Sequence, residues 1–153
     1  MGNKPRIMRP DLCGGALLDL GVYAINFARM FFPSEIVSIE SQCVKSDTGM
    51  DLTNSISMIL EDGMLCNLQS SAACVGDNIG VIAGTDGNLI IDNINNPQKI
   101  TVNTHNREFV EDIHVPQQIT GYEYQFIACR EALLTGLLEP LEMPHEETLK
   151  VML

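Results

Sequence analysis

The sequence has no tryptophan, and aromatic residues make up only 5% of its 153 residues. It has nine lysines and arginines against 20 aspartates and glutamates, which gives a formal net charge of −11. Binding of phosphate groups requires cations, so this shortage argues against a nucleic-acid partner and against an anionic membrane surface. The acidic residues form no long run, and acidity spread in this way mainly favours solubility.

Long uninterrupted apolar runs are also absent. The longest apolar-rich stretch, residues 16–32, contains Asp19, Asn26 and Arg29. A membrane span needs about 20 predominantly apolar residues, and a signal peptide needs a basic start before a short apolar core. We therefore expect neither of them, and we expect a cytoplasmic protein.

The cysteines and histidines show no spacing typical of a disulfide framework or a metal site. The five cysteines are odd in number and include no CxxC pair, and the three histidines lie far apart. We therefore predict reduced intracellular thiols, each a small buried hydrophobic residue, and no structural metal. The residues concerned are Cys13, Cys43, Cys66, Cys74, Cys129, His105, His114 and His145.

Length and periodicity predict one α+β domain over residues 1–153. An extended approach segment over residues 1–13 precedes a helix from Gly15 to Phe32, and the pattern then changes to a period of two. Two later helices begin near Gly121 and Pro144, and the last appears only a couple of turns long, which indicates a truncated final helix. The strands are predicted at 36–43, 52–60, 64–73, 78–83, 89–92, 99–104 and 108–114.

This order of elements predicts a largely antiparallel open β-sheet with helices on one face. The strands carry valine, isoleucine, methionine and leucine on both sides. An antiparallel sheet with an apolar outer face usually pairs with another subunit, so we predict a homo-oligomer through the open sheet face.

Three polar residues follow one line along the first predicted helix. Asp19, Tyr23 and Asn26 stand at positions i, i+4 and i+7, which share one helical face. A carboxylate, a phenol and an amide on one face are able to move a proton or to hold a sugar hydroxyl. The same stripe is also typical of an ordinary half-exposed helix, so periodicity alone leaves both interpretations open.

Four segments in a fixed order resemble a known family. The segment RIMRPDLCGGALLDLGVY at 6–23 resembles the beginning of the C-terminal domain of the glucose-fructose oxidoreductase, inositol dehydrogenase and MocA family. GTDGNL at 84–89 is similar to a turn between strands of that domain, and GYEY at 121–124 and MPHEETL at 143–149 are similar to its helix beginnings. The spacing of Asp19 and Tyr23, with a tyrosine four residues after the aspartate, resembles the pattern of the family branch that includes dihydrodiol dehydrogenase.

The resemblance implies a fold, a cofactor and roles for particular residues. The implied fold is the C-terminal α+β domain similar to those of dihydrodipicolinate reductase and glyceraldehyde-phosphate dehydrogenase, beside an N-terminal Rossmann domain that binds NAD or NADP. Tyr23 falls at the position of the proton-transferring residue, and Asp19 falls at the position that orients substrate or tunes its partner. A phenol has an ordinary pKa of about 10 and needs a nearby cation at neutral pH, which the family supplies as a lysine of the Rossmann domain.

The sequence departs from a complete enzyme of that family. No GxGxxG follows a strand, so we expect the Rossmann domain to be absent, this chain to bind no cofactor, and turnover to require that domain. Gly84 to Gly87 lacks the lysine and the flanking helix of a phosphate loop, and it is predicted to be a hairpin turn. Cys13 replaces the first of three glycines, and it would be strained if that position has a positive φ.

Three further residues are candidates for ligand binding. Arg6 and Arg9 are able to bind an anionic substrate or a cofactor phosphate, although such residues are more often solvated flanks. Tyr122 is able to stack on a sugar or nicotinamide ring, although a tyrosine at the start of a helix usually anchors that helix. With Asn26 as the remaining candidate, Arg6 and Tyr122 complete the predicted substrate-binding set.

Our leading hypothesis is a substrate and oligomerisation domain of a NAD(P)-dependent oxidoreductase that acts on a small-molecule sugar, polyol or diol. Its partners would be its own Rossmann domain and further copies of itself. A second hypothesis is a stand-alone dimerisation or ligand-binding module without catalysis. A third is a free-standing isomerase or hydrolase using Asp19 and Tyr23, for which the sequence identifies no second acidic group.

Overall fold

The computed structural model describes residues 6–153, which form two compact units. The first extends to Asp77, and the second runs from Asn78 to Leu153. The α+β class is confirmed, and the strands divide between two antiparallel sheets. The first unit contains a 3₁₀ turn (Pro10–Leu12), a π-helical turn (Leu17–Gly21), α1 (Val22–Phe31), β1 (Ile36–Lys45), β2 (Asp51–Leu60) and β3 (Leu65–Ser71). The second contains β4 (Gly80–Ala83), β5 (Gly87–Ile91), β6 (Lys99–Thr104), β7 (Phe109–His114), α2 (Glu123–Thr135) and α3 (His145–Met152).

The three-stranded sheet of the first unit has β2 in its centre, paired antiparallel with β1 and β3. Alternation along the strands places Met58, Leu60 and Cys66 on one face, where they form a core with Ala28 of α1. The opposite face is more polar than the sequence analysis predicted, because the apolar residues of β2 and β3 mostly alternate toward the helix. The residues on that face include Ser38, Glu40, Gln42, Ser55, Ser57, Asn67 and Gln69.

Small residues form the buried side of the first helix. The apolar positions that recur at spacings of three and four predict a packed side made of Leu17, Leu18, Val22, Ile25, Ala28 and Phe32. Of these, Ala28 is buried, Leu18 is exposed and the other four are half-buried, and Gly21 and Ala24 are buried as well. A Cβ atom added at Gly21 would lie 3.0 Å from Ser70 Oγ on β3. The helix therefore approaches the sheet closely, and the larger apolar residues occupy its flanks.

The beginning of the described chain differs from the predicted extended approach. Residues 6–8 form a turn, and Pro10–Leu12 form a 3₁₀ turn. Residues 1–5 of the approach lie outside the described residues. The prolines favour a tight turn here because Pro10 is the first residue of the 3₁₀ turn, where a missing amide hydrogen costs nothing.

The helical stretch Pro10–Phe31 passes the length and composition criterion for a membrane span, with a mean hydropathy of 1.2. The core helix of a soluble protein passes the same criterion. Here the stretch packs on β2 and β3, contains Asp19 in an ion pair and has Arg29 buried within the protein. These contacts are those of a helix packed against the sheet of its own unit.

The four-stranded sheet of the second unit has the order β4-β5-β6-β7. The Gly84 amide donates to the Gly87 carbonyl at 2.8 Å, which closes the turn between β4 and β5 and confirms the predicted hairpin. The backbone of β6 passes so close to residue 87 that only glycine fits there, because a Cβ atom would lie 2.0 Å from the Asn103 carbonyl oxygen. Gly136 ends α2 with a φ of 74°, and a glycine just past a periodic apolar segment predicts such a helix end.

The side chain of Glu123 caps the loop that leads into α2. Its carboxylate accepts hydrogen bonds from the amides of Ile119, Thr120 and Gly121 at 2.7, 2.6 and 2.9 Å. Hydrogen bonds from its own amide and from these loop amides lower the pKa of Glu123 from 4.5 to about 2. The Glu123 carboxylate thereby provides an acceptor for three loop amides, which would otherwise need water as their hydrogen-bond partner.

We expect the Glu123 cap to be pH-dependent in a defined window. The pKa of Glu123 is lower in the folded state than in the unfolded state, so the ionised carboxylate stabilises the folded loop. This stabilisation is fully present above about pH 4.5 and is lost as the pH falls through about 2. A carboxyl-detected NMR titration should therefore give a pKa near 2 for Glu123. Titration near 4.5, or loop amides in Glu123→Gln that exchange as slowly as in the wild type, would contradict the cap.

The cysteines are less buried than predicted. All five are free, but only Cys66 is buried, while Cys13, Cys43, Cys74 and Cys129 are exposed. Burial is the larger cause, and the charge of Asp62 the smaller, of a raised pKa at the Cys66 thiol. Within residues 6–153, no group of three histidine, cysteine, aspartate or glutamate side chains is arranged to hold a metal ion.

Candidate active site

Asp19 lies in the π-helical turn rather than in regular α-helix. The Val22 amide donates to the Leu17 carbonyl, five residues earlier, before the chain continues as α1. A π-turn inserts a residue into the helical repeat, and such turns are frequent at functional sites. The predicted i, i+4 alignment of Asp19 with Tyr23 is therefore altered, because it assumed a uniform α-helix.

The structure brings together Arg6 and Asp19, two of the predicted site residues. The Arg6 guanidinium donates to Asp19 Oδ1, and a second nitrogen donates to the Cys13 carbonyl at 3.5 Å. The Asp19 side chain is 20% exposed and that of Arg6 is 51% exposed. Arg6 therefore ties the turn before the helix to the Asp19 carboxylate, instead of standing as a solvated flank.

Tyr23 and Asn26 differ in the exposure and the hydrogen bonding of their side chains. Tyr23 is 53% exposed, and its hydroxyl makes no hydrogen bond within residues 6–153. Asn26 is half-buried, and its Nδ2 donates to the Val22 carbonyl at 2.8 Å, which uses one of its two amide hydrogens inside the helix. Tyr23 is thus the more accessible of the two.

The remaining candidates have other environments. Arg9 pairs with the nearby Asp11 on the surface. Tyr122 belongs to the second unit, where it is exposed just before α2 and its amide donates to Thr120 Oγ1 at 3.2 Å. The structure therefore pairs Arg6 with Asp19 and has Tyr23 four residues further along the chain, in the first turn of α1.

Sequence analysis did not identify Asp51, which contacts the beginning of the helical stretch that carries Asp19, or Asn54, which contacts Asp51. Asp51 Oδ2 accepts hydrogen bonds from the Leu17 amide and from Asn54 Nδ2, both at 2.6 Å. Burial raises the pKa of Asp51, but hydrogen bonds from Asn54 and from the Leu17, Asp51 and Ala16 amides outweigh burial and lower it. Asp51 lies 34 residues from Leu17, so helical periodicity carries no signal of the contact.

Cys13, in the loop before the helix, has an unusual backbone conformation. Cys13 adopts the left-handed conformation, with φ 51° and ψ 48°. The expected strain at this departure from the family pattern is therefore present, because side chains with a Cβ disfavour this region.

We expect Cys13→Gly to raise the free energy of unfolding by up to about 1 kcal/mol, because glycine adopts positive φ without steric cost. Urea unfolding of the two proteins measures the difference. Cys43→Gly is the matched control, since Cys43 is an exposed residue of β1, where glycine weakens a strand. A loss of stability in Cys13→Gly as large as in Cys43→Gly would contradict the assignment of strain.

The residues present do not fit a nicotinamide dinucleotide by themselves. A dinucleotide site needs a parallel βαβ unit with a glycine-rich loop that opens a helix. Both sheets of residues 6–153 are antiparallel, and the turn from Gly84 to Gly87 joins two strands. No step through that cofactor follows from these residues alone.

Comparison with known proteins identifies relatives among dehydrogenases. Trans-1,2-dihydrobenzene-1,2-diol dehydrogenase of Danio rerio is 31% identical over 150 residues, which cover 94% of this chain and 45% of that protein. The scyllo-inositol 2-dehydrogenase (NADP(+)) of Bacillus subtilis (strain 168) is 26% identical over 148 residues, which cover 97% of this chain and 44% of that protein. The chain thus spans about half the length of the curated relatives it matches.

Solved structures share the fold. An aldose-aldose oxidoreductase from Caulobacter crescentus, complexed with glycerol, superposes with a TM-score of 0.83 at 22% identity, covering 99% of this chain and 47% of that one. A 3-ketoreductase from Actinomadura kijaniata, in complex with NADP and TDP-benzene, gives a TM-score of 0.77 at 21% identity, with coverage of 99% and 47%.

A family profile described as the GFO/IDH/MocA C-terminal domain matches residues 2–90, which include the Arg6–Asp19 pair, Tyr23 and all three strands of the first unit. The match covers more than half of the 153 residues. The chain therefore belongs to the GFO/IDH/MocA family, of which it carries the C-terminal domain.

Proposed function

We propose that this chain is the substrate and oligomerisation domain of a NAD(P)-dependent oxidoreductase that acts on a sugar, polyol or diol. The observation that carries the proposal is the Arg6–Asp19 ion pair on a π-turn directly before the exposed Tyr23. An exposed phenol and a neighbouring fixed carboxylate provide one group to exchange a proton and one to orient a hydroxyl. Family membership supports this assignment of roles.

Tyr23 is the proposed acid and base. Oxidation of an alcohol requires removal of the hydroxyl proton as hydride leaves the carbinol carbon, and the phenol oxygen is able to take that proton. The phenol needs a nearby cation at neutral pH. Arg6 is engaged by Asp19, so the proposed cation is a lysine from outside this chain.

Asp19 is the proposed orienting residue. Arg6 fixes the orientation of the Asp19 carboxylate, and an oriented carboxylate is able to accept a hydrogen bond from a substrate hydroxyl. Asn26 remains a proposed contributor to substrate binding, and a binding role for Tyr122 of the second unit stays a separate prediction. The proposed nicotinamide cofactor, which accepts or donates hydride, binds a Rossmann domain encoded in the complete gene.

The names of the relatives support the substrate class. They act on a trans-1,2-diol of dihydrobenzene and on scyllo-inositol, and a neighbour of similar fold is an aldose-aldose oxidoreductase. All three substrates present vicinal oxygen functions. We therefore propose a small vicinal diol, polyol or sugar as the substrate of a cytoplasmic enzyme.

The test uses the product of the complete gene and, separately, residues 1–153. Each is incubated with NAD or NADP and with a panel of vicinal diols, inositols and aldoses, and formation of reduced nicotinamide is measured. Turnover by the complete protein and none by residues 1–153 is expected. Absence of cofactor reduction with every member of the panel would favour the alternative function, a dimerisation or ligand-binding module without catalysis.

The proposed oligomer is supported by apolar side chains on the four-stranded sheet. Val81, Phe109 and Val110 are more than half exposed on β4 and β7. Burying such residues against a second copy would remove apolar surface from water. Light scattering coupled to size exclusion should therefore give a mass of at least two chains, and a well-behaved monomer would contradict the interface.

A further inference from the structure

The first helix begins without a cap from its own sequence. Neither the π-turn nor α1 has a side-chain hydrogen bond from its preceding residue, Ala16 or Gly21. The first amides of a helix have no partner within the helix and need an acceptor. The Asp51 carboxylate supplies one from the beginning of β2, where it accepts from the Leu17 amide at 2.6 Å.

The Asp51 carboxylate is itself held in place. The buried side chain of Asn54, only 6% exposed, donates to Asp51 Oδ2 at 2.6 Å from the same strand. A charged acceptor forms stronger hydrogen bonds with amides than a neutral one does. Asp51 is therefore a fixed anionic acceptor, attached to the sheet, for the end of the helix that carries positive partial charge.

The chain makes room for this contact through Gly15. Gly15 has a φ of 107°, and a Cβ atom there would lie 2.1 Å from Asp51 Oδ1. Asp51 Oδ1 thus occupies the space that a side chain at residue 15 would need, while Oδ2 accepts the hydrogen bond from the Leu17 amide. Asp19 follows Leu17 by two residues in the same π-turn, so the contact holds the first residue of the turn that carries Asp19.

We infer that Asp51, held by Asn54, is a positioning residue that sets the orientation of the Asp19 turn toward Arg6 and the substrate. The inference deepens the proposed function and rests on it for its catalytic consequence. Asp51 acts through the helix backbone and needs no contact with the substrate. Misplacement of a catalytic group by about 1 Å is able to cost about 100-fold in rate, so a backbone contact of this kind has a measurable effect.

The experiment compares Asp51→Asn with Asp62→Asn in the complete gene product. Asp62 is a matched control because its carboxylate also accepts from one side chain and one amide, those of Ser34 and Met64, but at the turn between β2 and β3. Asp51→Asn should lower kcat by about 10- to 100-fold with a smaller change in KM. It should also shift the NMR signal of the Asp19 carboxyl carbon, and Asp62→Asn should do neither.

The two readouts separate this inference from the proposed function. If the wild-type protein reduces no cofactor, the proposed function fails, and the Asp19 signal alone decides whether Asp51 positions the turn. A folded Asp51→Asn protein with wild-type kcat would overturn the inference. If the wild-type protein has no activity, an Asp19 signal in Asp51→Asn that is unchanged from the wild type would overturn it. If Asp51→Asn does not fold, Asn54→Ala retains the carboxylate and removes its holding donor. That variant should shift the Asp19 signal, and an unchanged signal would overturn the inference.

Discussion

Replacing Tyr23 with phenylalanine is expected to lower kcat of the complete enzyme by about 10²- to 10⁴-fold, the range typical of a lost general acid or base. KM should change little, because the ring remains and only the proton-transferring oxygen is removed. Stability should stay the same, since Tyr23 is 53% exposed and its hydroxyl has no hydrogen-bond partner within residues 6–153. Steady-state kinetics with the preferred diol or sugar measures the effect.

The matched control for Tyr23 is Tyr124→Phe. Tyr124 is also an exposed helical tyrosine, but it lies on α2 in the second unit. It should retain wild-type kcat. Unchanged kcat in Tyr23→Phe, or an equal loss in both variants, would remove the catalytic assignment from Tyr23.

Gly14→Ala is expected to have the largest effect on stability. A Cβ atom at Gly14 would lie 2.4, 2.7 and 2.8 Å from the carbonyl oxygens of Ile7, Arg6 and Arg9. Backbone oxygens cannot move aside as a flexible side chain does, so the whole turn must shift. We expect a loss of about 3 kcal/mol in the free energy of unfolding, measured by denaturant titration. Activity of the complete enzyme should fall too, because the same turn carries Arg6 to Asp19.

Gly76→Ala is the control for this prediction. Nothing lies within 4 Å of a Cβ added at Gly76, and its φ is outside the left-handed region. Its stability should change by less than about 0.5 kcal/mol, as for other surface substitutions. Similar losses in both variants would show that the crowding around Gly14 is not the cause.

The regular elements were predictable because their signals are local. Alternation over residues 36–60 predicts two strands, and the structure has them as Ile36–Lys45 and Asp51–Leu60. Gly136 likewise marks the end of α2 in the sequence, because glycine adopts a positive φ without the steric cost that other residues have. The stripe of Asp19 and Tyr23 also located the candidate site within the chain.

The finer geometry of the site depends on contacts between distant residues. Arg6 reaches Asp19 across a folded turn, and Asp51 reaches Leu17 over 34 residues, so neither contact has a sequence period. The π-turn has no distinctive composition, and a single inserted residue changes which side chains share a face. The most buried positions of the helix include Gly21 and Ala24, which periodicity of large apolar residues does not mark, because small residues at close contact bury more completely than the large residues beside them.

The central claim is that Asp19 of the π-turn and Tyr23 of α1 contribute to one half of an active site whose other half is a nucleotide-binding domain. The most direct measurement is a crystal structure of the complete gene product with NADP and its substrate. We predict that the Tyr23 hydroxyl lies within about 3.2 Å of the substrate oxygen whose carbon faces the nicotinamide. A substrate bound at the nicotinamide with Tyr23 and Asp19 directed to bulk solvent would contradict the claim.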